Sequence, residues 1–307
     1  MAVPSSGALS LAGIKAEVDN DEYNPNSTTQ ASLTTLATGT INNNSTLKPN
    51  QSTPHGMSEW YGYDNDQAAS FGDSRSFDFD GTNDYLEGSG SFAAAVTPQQ
   101  GSISVWVKLD AMSANGFIFQ LSTEEGTDDQ ILLLWNNGSA RIRGNIKLNG
   151  TANTVDSGAG LENDGNWHHV ALTWKSEDRT SSNNIARIYI DGSQTATNAI
   201  GNDTWQGGSG QLGAVAGFGR NYSQNYGHNF NGHMNDIAMF DDVLTPTEVA
   251  TIYNSGSPKD ESSHSGLLAY YKMEGYSAGD TSLADDSSNS YSLTITNSTS
   301  IGSTDTP

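Results

Sequence analysis

The chain has 307 residues, of which 33 are glycine, none is cysteine and only 16% are charged. Its 13 basic and 35 acidic residues give a formal net charge of −22, and so acidic a surface repels the phosphate backbone of nucleic acids. Disulfide bonds are excluded, and the sequence has no run of 18 apolar residues to cross a membrane. We therefore expect no nucleic-acid partner and no membrane insertion.

The first ten residues, MAVPSSGALS, lack the basic start and the apolar centre of a secretory signal peptide. We therefore expect synthesis in the cytoplasm and no export by the general secretory route. After Ser10, a suitable N-cap, Leu11, Ile14 and Val18 recur at helical spacing and predict one short helix. The polar stretch that follows contains few residues that could build a core.

Residues 1–66 end in an aromatic cluster of Trp60, Tyr61 and Tyr63, which favours a covered position. An anchoring or oligomerising segment, attached through this cluster, explains both the polar stretch and the aromatic side chains. A flexible leader is the alternative interpretation.

From residue 67 onward, alternating apolar runs are separated by turn residues. In SISVWVKLD the apolar residues at positions 103, 105, 107 and 109 predict a half-buried strand. Asp191-Gly192 has the residues of a tight hairpin turn. The series ends with GHMNDIAMF near residue 240. We predict an all-β chain whose two antiparallel sheets stack as a sandwich or jelly roll.

The segment after these strands, DVLTPTEVATIYNSG, predicts a short helix. Thr245 is its N-cap, Pro246 takes the first helical position, Glu248 completes a capping box and Gly256 ends the helix. The tail returns to strand-like residues in GLLAYYKMEG and YSLTITN, which are connected by an acidic turn, ADDSSNS.

Two of the six histidines, His168 and His169, are adjacent in NWHHVALTW. Neighbours such as Val170 and Trp174 favour a strand, in which successive side chains point to opposite faces. The two rings therefore diverge and cannot bind one metal ion together. We interpret them as histidines held by hydrogen bonds within a sheet.

Five segments, in chain order, resemble the concanavalin A-like laminin-G and pentraxin superfamily: FDGTNDYLE, SISVWVKL, NWHHVALTW, ARIYIDGSQ and NGHMNDIAMFDDVLTPTEVATIYN. The resemblance covers residues 75–255. It implies a jelly roll of two curved antiparallel sheets, in which the histidine strand is scaffold. We expect residues 67–255 to form this domain.

The tail resembles another part of the same superfamily, in which a segment like LLAYYKMEG and its acidic turn precede the FDG strand. Here they follow the terminal helix. We therefore expect residues 256–307 to supply edge strands to the jelly roll, as in a circular permutation, or to a neighbouring subunit. A truncated second domain is the alternative, but so short a segment buries too little surface to stand alone.

The start PSSGALSLAGIKAEV, together with the later MSEWYGYDND, is similar to the start of structural proteins of tailed bacteriophages, particularly marine ones. This resemblance implies a virion component that is made in the host cytoplasm and released by lysis.

Laminin-G-like domains commonly hold a structural calcium ion where the first strand meets the last. The resemblance places its ligands at five positions: Asp80, Gly81, Asp84, Asn235 and Asp236. Asn235 stands where the superfamily more often has an acid, although an amide oxygen can also bind calcium. The alternative is that Asp80 and Asp84 only form hydrogen bonds within a turn.

A second group of acids lies in STEEGTDDQ, where Glu124, Glu125, Asp128 and Asp129 either bind a cation or are solvated. Glucanases on this fold carry an E-x-D-x-x-E alternation on one strand, which is missing from this chain. The sequence also lacks the H-E-x-x-H, G-x-S-x-G and phosphate-loop motifs. We expect no enzymatic activity.

The loop of residues 219–233, GRNYSQNYGHNFNGH, is the candidate ligand-binding loop. Aromatic faces stack on sugar rings and amides hydrogen-bond sugar hydroxyls, so aromatic residues among Asn and Gln suit a glycan. The candidate residues are Trp205, Tyr222, Tyr226, His228 and Phe230. Packing of these aromatics against a neighbouring loop or subunit is the alternative.

Together these features favour a non-enzymatic phage virion protein: a capsid fibre, decoration protein or tail appendage with a lectin-like domain on the exterior of the particle. Its expected partners are other virion proteins, through the N-terminal segment, a host surface glycan, and further copies of the chain, with a trimer favoured by analogy. The alternatives are a secreted bacterial carbohydrate-binding module and a polysaccharide depolymerase.

Overall fold

The computed structural model describes residues 3–20, 22–27, 31–39, 41, 47, 49–50, 52–54, 56–63, 65, 73–96, 99–122, 130–148, 151–158, 161, 164–176, 184–200, 215–221, 228–274, 276, 279–297 and 301–307. The chain divides into two compact units, Met1–Phe71 and Gly72–Pro307. Within these described ranges, no helix is both long enough and apolar enough to span a membrane.

The described part of the first unit contains two α-helices and a 3-10 helix: α1 (Leu11–Asn20), α2 (Leu33–Thr38) and Met57–Trp60. The predicted helix after Ser10 is confirmed, and the Ser10 hydroxyl accepts a hydrogen bond from the Gly13 amide at 2.9 Å. The unit has a core of its own, formed by Val3, Ile14, Leu36, Ile41, Trp60 and Tyr63. The polar stretch contributes Leu36 and Ile41 to this core, and the segments on either side of it supply the other four residues.

The aromatic cluster belongs to that core. Trp60 and Tyr63 are fully buried and meet edge to face, with ring centroids 5.1 Å apart. Tyr61 is partly exposed, and its hydroxyl donates to the Gly7 carbonyl at 2.5 Å. The sequence predicted attachment to another protein through this cluster. Trp60 and Tyr63 are covered by their own unit instead, so they are not available for that contact.

Over its described residues, the second unit is a sandwich of two eight-stranded sheets. Sheet 1 contains β1 (Ser76–Asp80), β3 (Gln100–Leu109), β8 (Trp167–Lys175), β9 (Ile185–Ile190), β10 (Ser193–Ala199), β12 (Asn231–Phe240), β13 (Leu267–Tyr271) and β16 (Ile301–Ser303). Its order is β10-β9-β8-β3-β12-β1-β16, and β13 also pairs with β12. Every pairing in the sheet is antiparallel.

Sheet 2 contains β2 (Tyr85–Gly88), β4 (Gly116–Ser122), β5 (Gln130–Asn136), β6 (Arg141–Leu148), β7 (Thr151–Asp156), β11 (Val215–Phe218), β14 (Ser282–Leu283) and β15 (Leu293–Thr296). Its order is β14-β15-β2-β11-β4-β5-β6-β7, again antiparallel throughout. Two helices complete the unit, α3 (Gly90–Ala95) and α4 (Pro246–Tyr253). The predicted all-β jelly-roll sandwich is confirmed.

The main core lies between the two sheets, where the alternating apolar residues of each strand meet. Phe77 and Phe79 of β1, Phe119 of β4 and Phe218 of β11 are fully buried there. Each large apolar side chain removed from water contributes about 1.5–3 kcal/mol. The strand alternation in the sequence thus fixes which face of each sheet points inward.

Strand β3 is buried on both faces, so the predicted half-buried strand is wrong. Ser102, Ser104 and Trp106, on the outer face, are no more than 2% exposed. The Trp106 ring stacks on Tyr253 of α4 at 5.7 Å, and the Ser102 hydroxyl donates to the Asp242 carbonyl at 2.8 Å. Helix α4 and the segment leading into it therefore cover these outer-face residues of β3.

The local signals for turns and caps hold at several positions. The hydroxyl of Thr245 accepts from the Glu248 amide at 3.2 Å, and the carboxylate of Glu248 accepts from the Thr245 amide at 2.7 Å. Asp191 and Gly192 both have positive φ, as a tight hairpin requires. Helix α4 ends earlier than predicted, because Asn254 already adopts the left-handed conformation that was expected at Gly256.

The C-terminal segment completes both sheets of its own chain. Strand β13 pairs with β12, β15 pairs with β2, and β16 pairs with β1. The acidic turn is held by the Asp285 carboxylate, which accepts four hydrogen bonds: from the amides of Tyr270, Ser287 and Tyr291 and from the Ser287 hydroxyl. The turn therefore fastens β13 to the segment that leads into β15.

Candidate ligand-binding site

The turn between β1 and β2 forms one wall of a cleft at the edge of the sandwich. The Asp80 Oδ1 atom accepts hydrogen bonds from the backbone amides of Thr82 and Asn83, at 2.7 and 3.2 Å. Such a turn, in which the side chain bonds the backbone two residues on, is a favoured role for aspartate. Gly81 adopts φ +72°, which residues with a side chain rarely adopt. The turn thus fixes the Asp80 carboxylate at the cleft.

The start of β12 forms the second wall. Antiparallel pairing sets Asn231 directly opposite Asp80. The Asn231 side-chain amide donates to the Ala111 carbonyl at 3.0 Å, and the Asn229 amide donates to the Thr82 carbonyl. Two side-chain amides therefore tie the strand to the loops on either side.

The loop between β3 and β4 forms the third wall. The Ser113 carbonyl accepts from the Asn137 side chain at 2.9 Å, and Asn115 Oδ1 accepts from the Asn137 backbone amide at 3.0 Å. The cleft holds about 170 Å³, roughly the volume of six water molecules. It is lined by Asp80, Gly81, Ala111, Met112, Ser113, Ala114, Asn229 and Asn231.

The chemistry of this lining suits a small hydroxylated ligand. A carboxylate accepts hydrogen bonds, an amide side chain both donates and accepts them, and the Met112 thioether offers an apolar contact. Because a hydroxyl group is both a donor and an acceptor, it can be satisfied by Asp80 and Asn231 together. A cleft of about 170 Å³ has room for a small hydroxylated group.

Asp84 lies behind the cleft with its carboxylate buried. Asp84 Oδ2 accepts from the Asp80 amide at 3.2 Å, whereas its buried Oδ1 has no hydrogen-bond partner among the described residues. Burial raises the pKa of Asp84 to about 6, against the lowering effect of that hydrogen bond, and the charges of Asp80 and Asp78 raise it further.

The structure does not bring the five predicted calcium ligands together. Asp80, Gly81 and Asp84 share the β1–β2 turn, but the strand residue facing Asp80 is Asn231. Asn235 is four residues further along β12, about 13 Å away at 3.3 Å per residue. In the described part of the chain, no three His, Asp or Glu side chains are grouped to hold a metal ion. The five residues therefore do not fit one calcium site.

Asn235 and Asp236 instead form a bulge at the middle of β12. Asp236 has φ +49°, and the β3 register shifts between Asn235 and Ala238. The Asp236 carboxylate is buried and contacts the Tyr270 hydroxyl at 2.5 Å, while Asn235 donates to Asp73. Burial raises the pKa of Asp236 well above its usual value. These side chains fasten β12 to β13 and to the segment before β1.

The structure places the predicted ligand-binding residues in different environments. Phe230 is completely buried and packs edge to face on Phe79, with centroids 5.6 Å apart, so it supports the cleft from the core and cannot contact a sugar. His228 is half-buried, 6.2 Å from the Phe117 ring, and does not line the cleft. Three further predicted residues lie outside the described residues: Trp205, Tyr222 and Tyr226. The acidic loop at residues 124–129 also lies outside them.

The adjacent histidines of β8 diverge, as predicted. His169 is fully buried beneath α4, and its Nε2 atom lies 2.7 Å from the Ser104 hydroxyl. His168 Nδ1 lies 2.9 Å from Asp191 Oδ2 at the edge of the sheet. Burial lowers the pKa of His169 to about 4, whereas the hydrogen bond to Asp191 raises the pKa of His168. Both histidines are structural.

The cleft contains residues that the sequence did not single out. Asn229 and Asn231 belong to the predicted loop, where amides were noted as sugar-binding groups, but the choice of residues rested on the aromatics. Nothing in the sequence of residues 111–114 indicated ligand binding, because Ala, Met and Ser side chains are not distinctive of a binding site. Only the pairing of Asp80 with Asn231 reveals which loops meet.

The two stacked antiparallel sheets define a lectin-like jelly-roll domain. Residues 80–250 match the model of the Laminin_G_3 family, described as the concanavalin A-like lectin/glucanases superfamily. The match spans more than half of the chain, and the chain belongs to this family.

Individual relatives agree with that assignment. The chain is similar to "Sushi, von Willebrand factor type A, EGF and pentraxin domain-containing protein 1" of Rattus norvegicus, at 28% identity, and of Mus musculus, at 29%. Each match covers 172 residues, 54% of this chain but only 4% of the relative. A solved structure of a Bacteroides ovatus ATCC 8483 protein named for carbohydrate binding superposes with a TM-score of 0.53 at 19% identity. The superposition covers 76% of this chain and 62% of the Bacteroides ovatus chain, and it shows that the two proteins share a fold.

Proposed function

We propose that the chain is a non-enzymatic, lectin-like protein that binds a glycan in the cleft between Asp80 and Asn231. The observation that carries the proposal is the convergence of one carboxylate and two side-chain amides, from different strands and loops, on one cleft of about 170 Å³. Hydrogen bonds fix each polar group before a ligand arrives, so little conformational freedom is lost on binding.

The same lining argues against hydrolysis. Glycosidases use two carboxyl groups that flank the scissile bond, usually about 5–10 Å apart. Among the described lining residues Asp80 is the single acid, since the nearby Asp84 is buried behind the turn. A second carboxyl group facing a substrate in this cleft is therefore missing from the described residues.

The binding proposal is tested with the full chain on an array of bacterial and algal surface glycans, followed by calorimetry on any ligand found. Asn231→Ala should weaken binding by up to roughly tenfold, since one hydrogen bond contributes about 0.5–1.5 kcal/mol. The matched control is Asn198→Ala, which also removes an amide that donates to a backbone carbonyl, but on β10. Equal affinity for Asn231→Ala and the unaltered chain would refute the site.

We further propose that the protein is a virion component, such as a capsid fibre, decoration protein or tail appendage, made in the host cytoplasm and carried on the particle exterior. Its first unit would contact other virion proteins and assemble copies of the chain, with a trimer favoured. Support comes from the resemblance of its start to phage structural proteins and from the separate core of residues 1–71. Because Trp60 and Tyr63 are buried, the contact must use other side chains of that unit.

Deletion of residues 1–71 tests this role. The remaining unit should stay soluble and bind glycan with unchanged affinity, but it should be absent from purified particles by mass spectrometry. Normal incorporation of the deleted chain would contradict the role of the first unit. A secreted bacterial carbohydrate-binding module, which the fold also allows, is indicated instead if no particle contains the full chain. Release of reducing sugar from polysaccharide would indicate a depolymerase.

A further inference from the structure

The charge of the cleft limits which glycans it can hold. Of the described lining residues only Asp80 is ionisable, and it is an acid. Its Oδ1 atom is held by two backbone amides, whereas Oδ2 accepts no hydrogen bond from the described part of the chain. Asp80 therefore presents a fixed carboxylate oxygen with a lone pair available to a ligand.

The surroundings of Asp80 are also negative. Asp78 lies two residues earlier on β1, on the same face, and Asp110 follows the end of β3. Asp84 lies behind the turn. Salt screens exposed charges only in part at low ionic strength, so these neighbouring acids add to the negative potential around Asp80.

Basic side chains described on the neighbouring elements already face acidic residues. Lys108 Nζ lies 2.6 Å from Asp305 Oδ2, and His233 Nε2 lies 4.0 Å from Asp78 Oδ1. Arg220 stacks on the Tyr85 ring at 3.6 Å and lies 3.7 Å from Glu87. Each of these basic side chains would have to break its contact with an acidic residue before it could neutralise an anionic sugar.

From this arrangement, and resting on the proposed glycan-binding function, we infer that Asp80 makes the cleft selective for sugars with a free amino group over neutral sugars, and for neutral sugars over uronic, sialic or sulfated ones. An ammonium group is a pure donor, and it matches the open oxygen of Asp80 in both charge and hydrogen-bonding role. A carboxylate or sulfate group would meet Asp80 without a compensating cation.

Three oligosaccharides of equal length test the inference: oligomers of glucosamine, of N-acetylglucosamine and of galacturonic acid. Each is titrated into the full chain by calorimetry at 50 and 500 mM NaCl, with EDTA and then with CaCl2. The first should bind roughly tenfold more tightly than the second at low salt, as expected for a charge-assisted hydrogen bond, and the third should not bind detectably. High salt should reduce only the preference for the amine.

Asp80→Asn removes the charge but retains an oxygen that can accept from the Thr82 and Asn83 amides. It should abolish the preference, so that glucosamine oligomers bind no more tightly than N-acetylglucosamine oligomers. The control is Asp241→Asn, an exposed acid just beyond the other end of β12, which changes the net charge by the same amount. It should change neither affinity.

The outcomes separate the inference from the proposed function. If Asn231→Ala weakens glycan binding but galacturonate oligomers bind as tightly as the other two, the function stands and the charge selectivity is refuted. The selectivity is also refuted if Asp80→Asn retains the amine preference, or if galacturonate binds as soon as calcium is added. If no oligosaccharide from this set or from the array binds, the proposed function itself fails.

Discussion

At the scale of single residues, Gly232 determines whether Asn231 can face the cleft. It adopts φ +130°, and a Cβ atom there would lie 2.2 Å from the Lys108 carbonyl oxygen. Because Gly232 has no side chain, it can pass close to β3 while Asn231 remains opposite Asp80.

We therefore predict that Gly232→Ala lowers the free energy of unfolding by about 3 kcal/mol, from backbone strain and overpacking combined. Urea denaturation measures the loss. The control is Gly165→Ala, at φ +75° with no atom within 4 Å of the added Cβ, which isolates the cost of the backbone angle. Equal losses in the two variants would show that the contact with Lys108 is unimportant.

The two histidines of β8 should affect stability with opposite dependence on pH. Because His169 has a folded pKa of about 4, below its usual 6.5, the unfolded chain binds the extra proton between these values. Its contribution therefore falls by about 3 kcal/mol as the pH is lowered from 6.5 to 4. His168 has a raised folded pKa, so its contribution is present below pH 6.5 and is lost as the pH rises through that raised value.

His169→Gln retains a nitrogen near Ser104 but does not titrate, and it should flatten the stability profile between pH 4 and 6.5. His168→Gln should change the profile only above about pH 6. Urea denaturation at four pH values between 4.5 and 7.5 distinguishes the two. An unchanged acid limb in His169→Gln would place the titrating group elsewhere.

At the scale of elements, the C-terminal segment depends on one carboxylate. Asp285 accepts hydrogen bonds from three backbone amides and one hydroxyl, and so joins β13 to the approach of β15. Asp285→Ala removes all four acceptor contacts and should cost about 3 kcal/mol, at roughly 1 kcal/mol for each bond that water replaces only in part.

Thermal unfolding measures this loss. Asp285→Asn keeps one side-chain carbonyl oxygen as an acceptor and should recover about half of the stability that Asp285→Ala loses. Asp286→Ala, next to it, removes a single acceptor for the Lys272 amide and should cost about 1 kcal/mol. A loss in Asp286→Ala as large as in Asp285→Ala would argue against Asp285 as the organiser of the turn.

Elements with a strong local pattern could be predicted from the sequence, and contacts between distant segments could not. Thr245 and Glu248 cap α4, and Asp191-Gly192 turns the β9–β10 hairpin, because each signal acts within four residues. Burial of Ser104 and Trp106 depends on α4, about 140 residues later. The separation of the predicted calcium ligands could not be foreseen for the same reason, since only the register of β1 and β12 shows that Asn235 is displaced from Asp80.

At the scale of the whole molecule, two units with separate cores should unfold as two transitions. The core of the first unit holds Trp60 and Tyr63, and that of the second fills the space between the sheets. We expect calorimetry of the full chain to resolve two endotherms, and deletion of residues 1–71 to remove one without shifting the other by more than about 2 °C. A single transition that shifts on deletion would show that the units unfold together.

The closure of sheet 1 by β16 brings the two ends of the jelly roll into contact. Ser76 and Ser303 are paired across β1 and β16, and the Ser76 hydroxyl donates to the Asp305 carbonyl at 2.6 Å. Because this junction lies at the opposite end of β1 from Asp80, the unit can be spliced into a surface loop of a carrier protein through two short linkers. The cleft would then point away from the carrier.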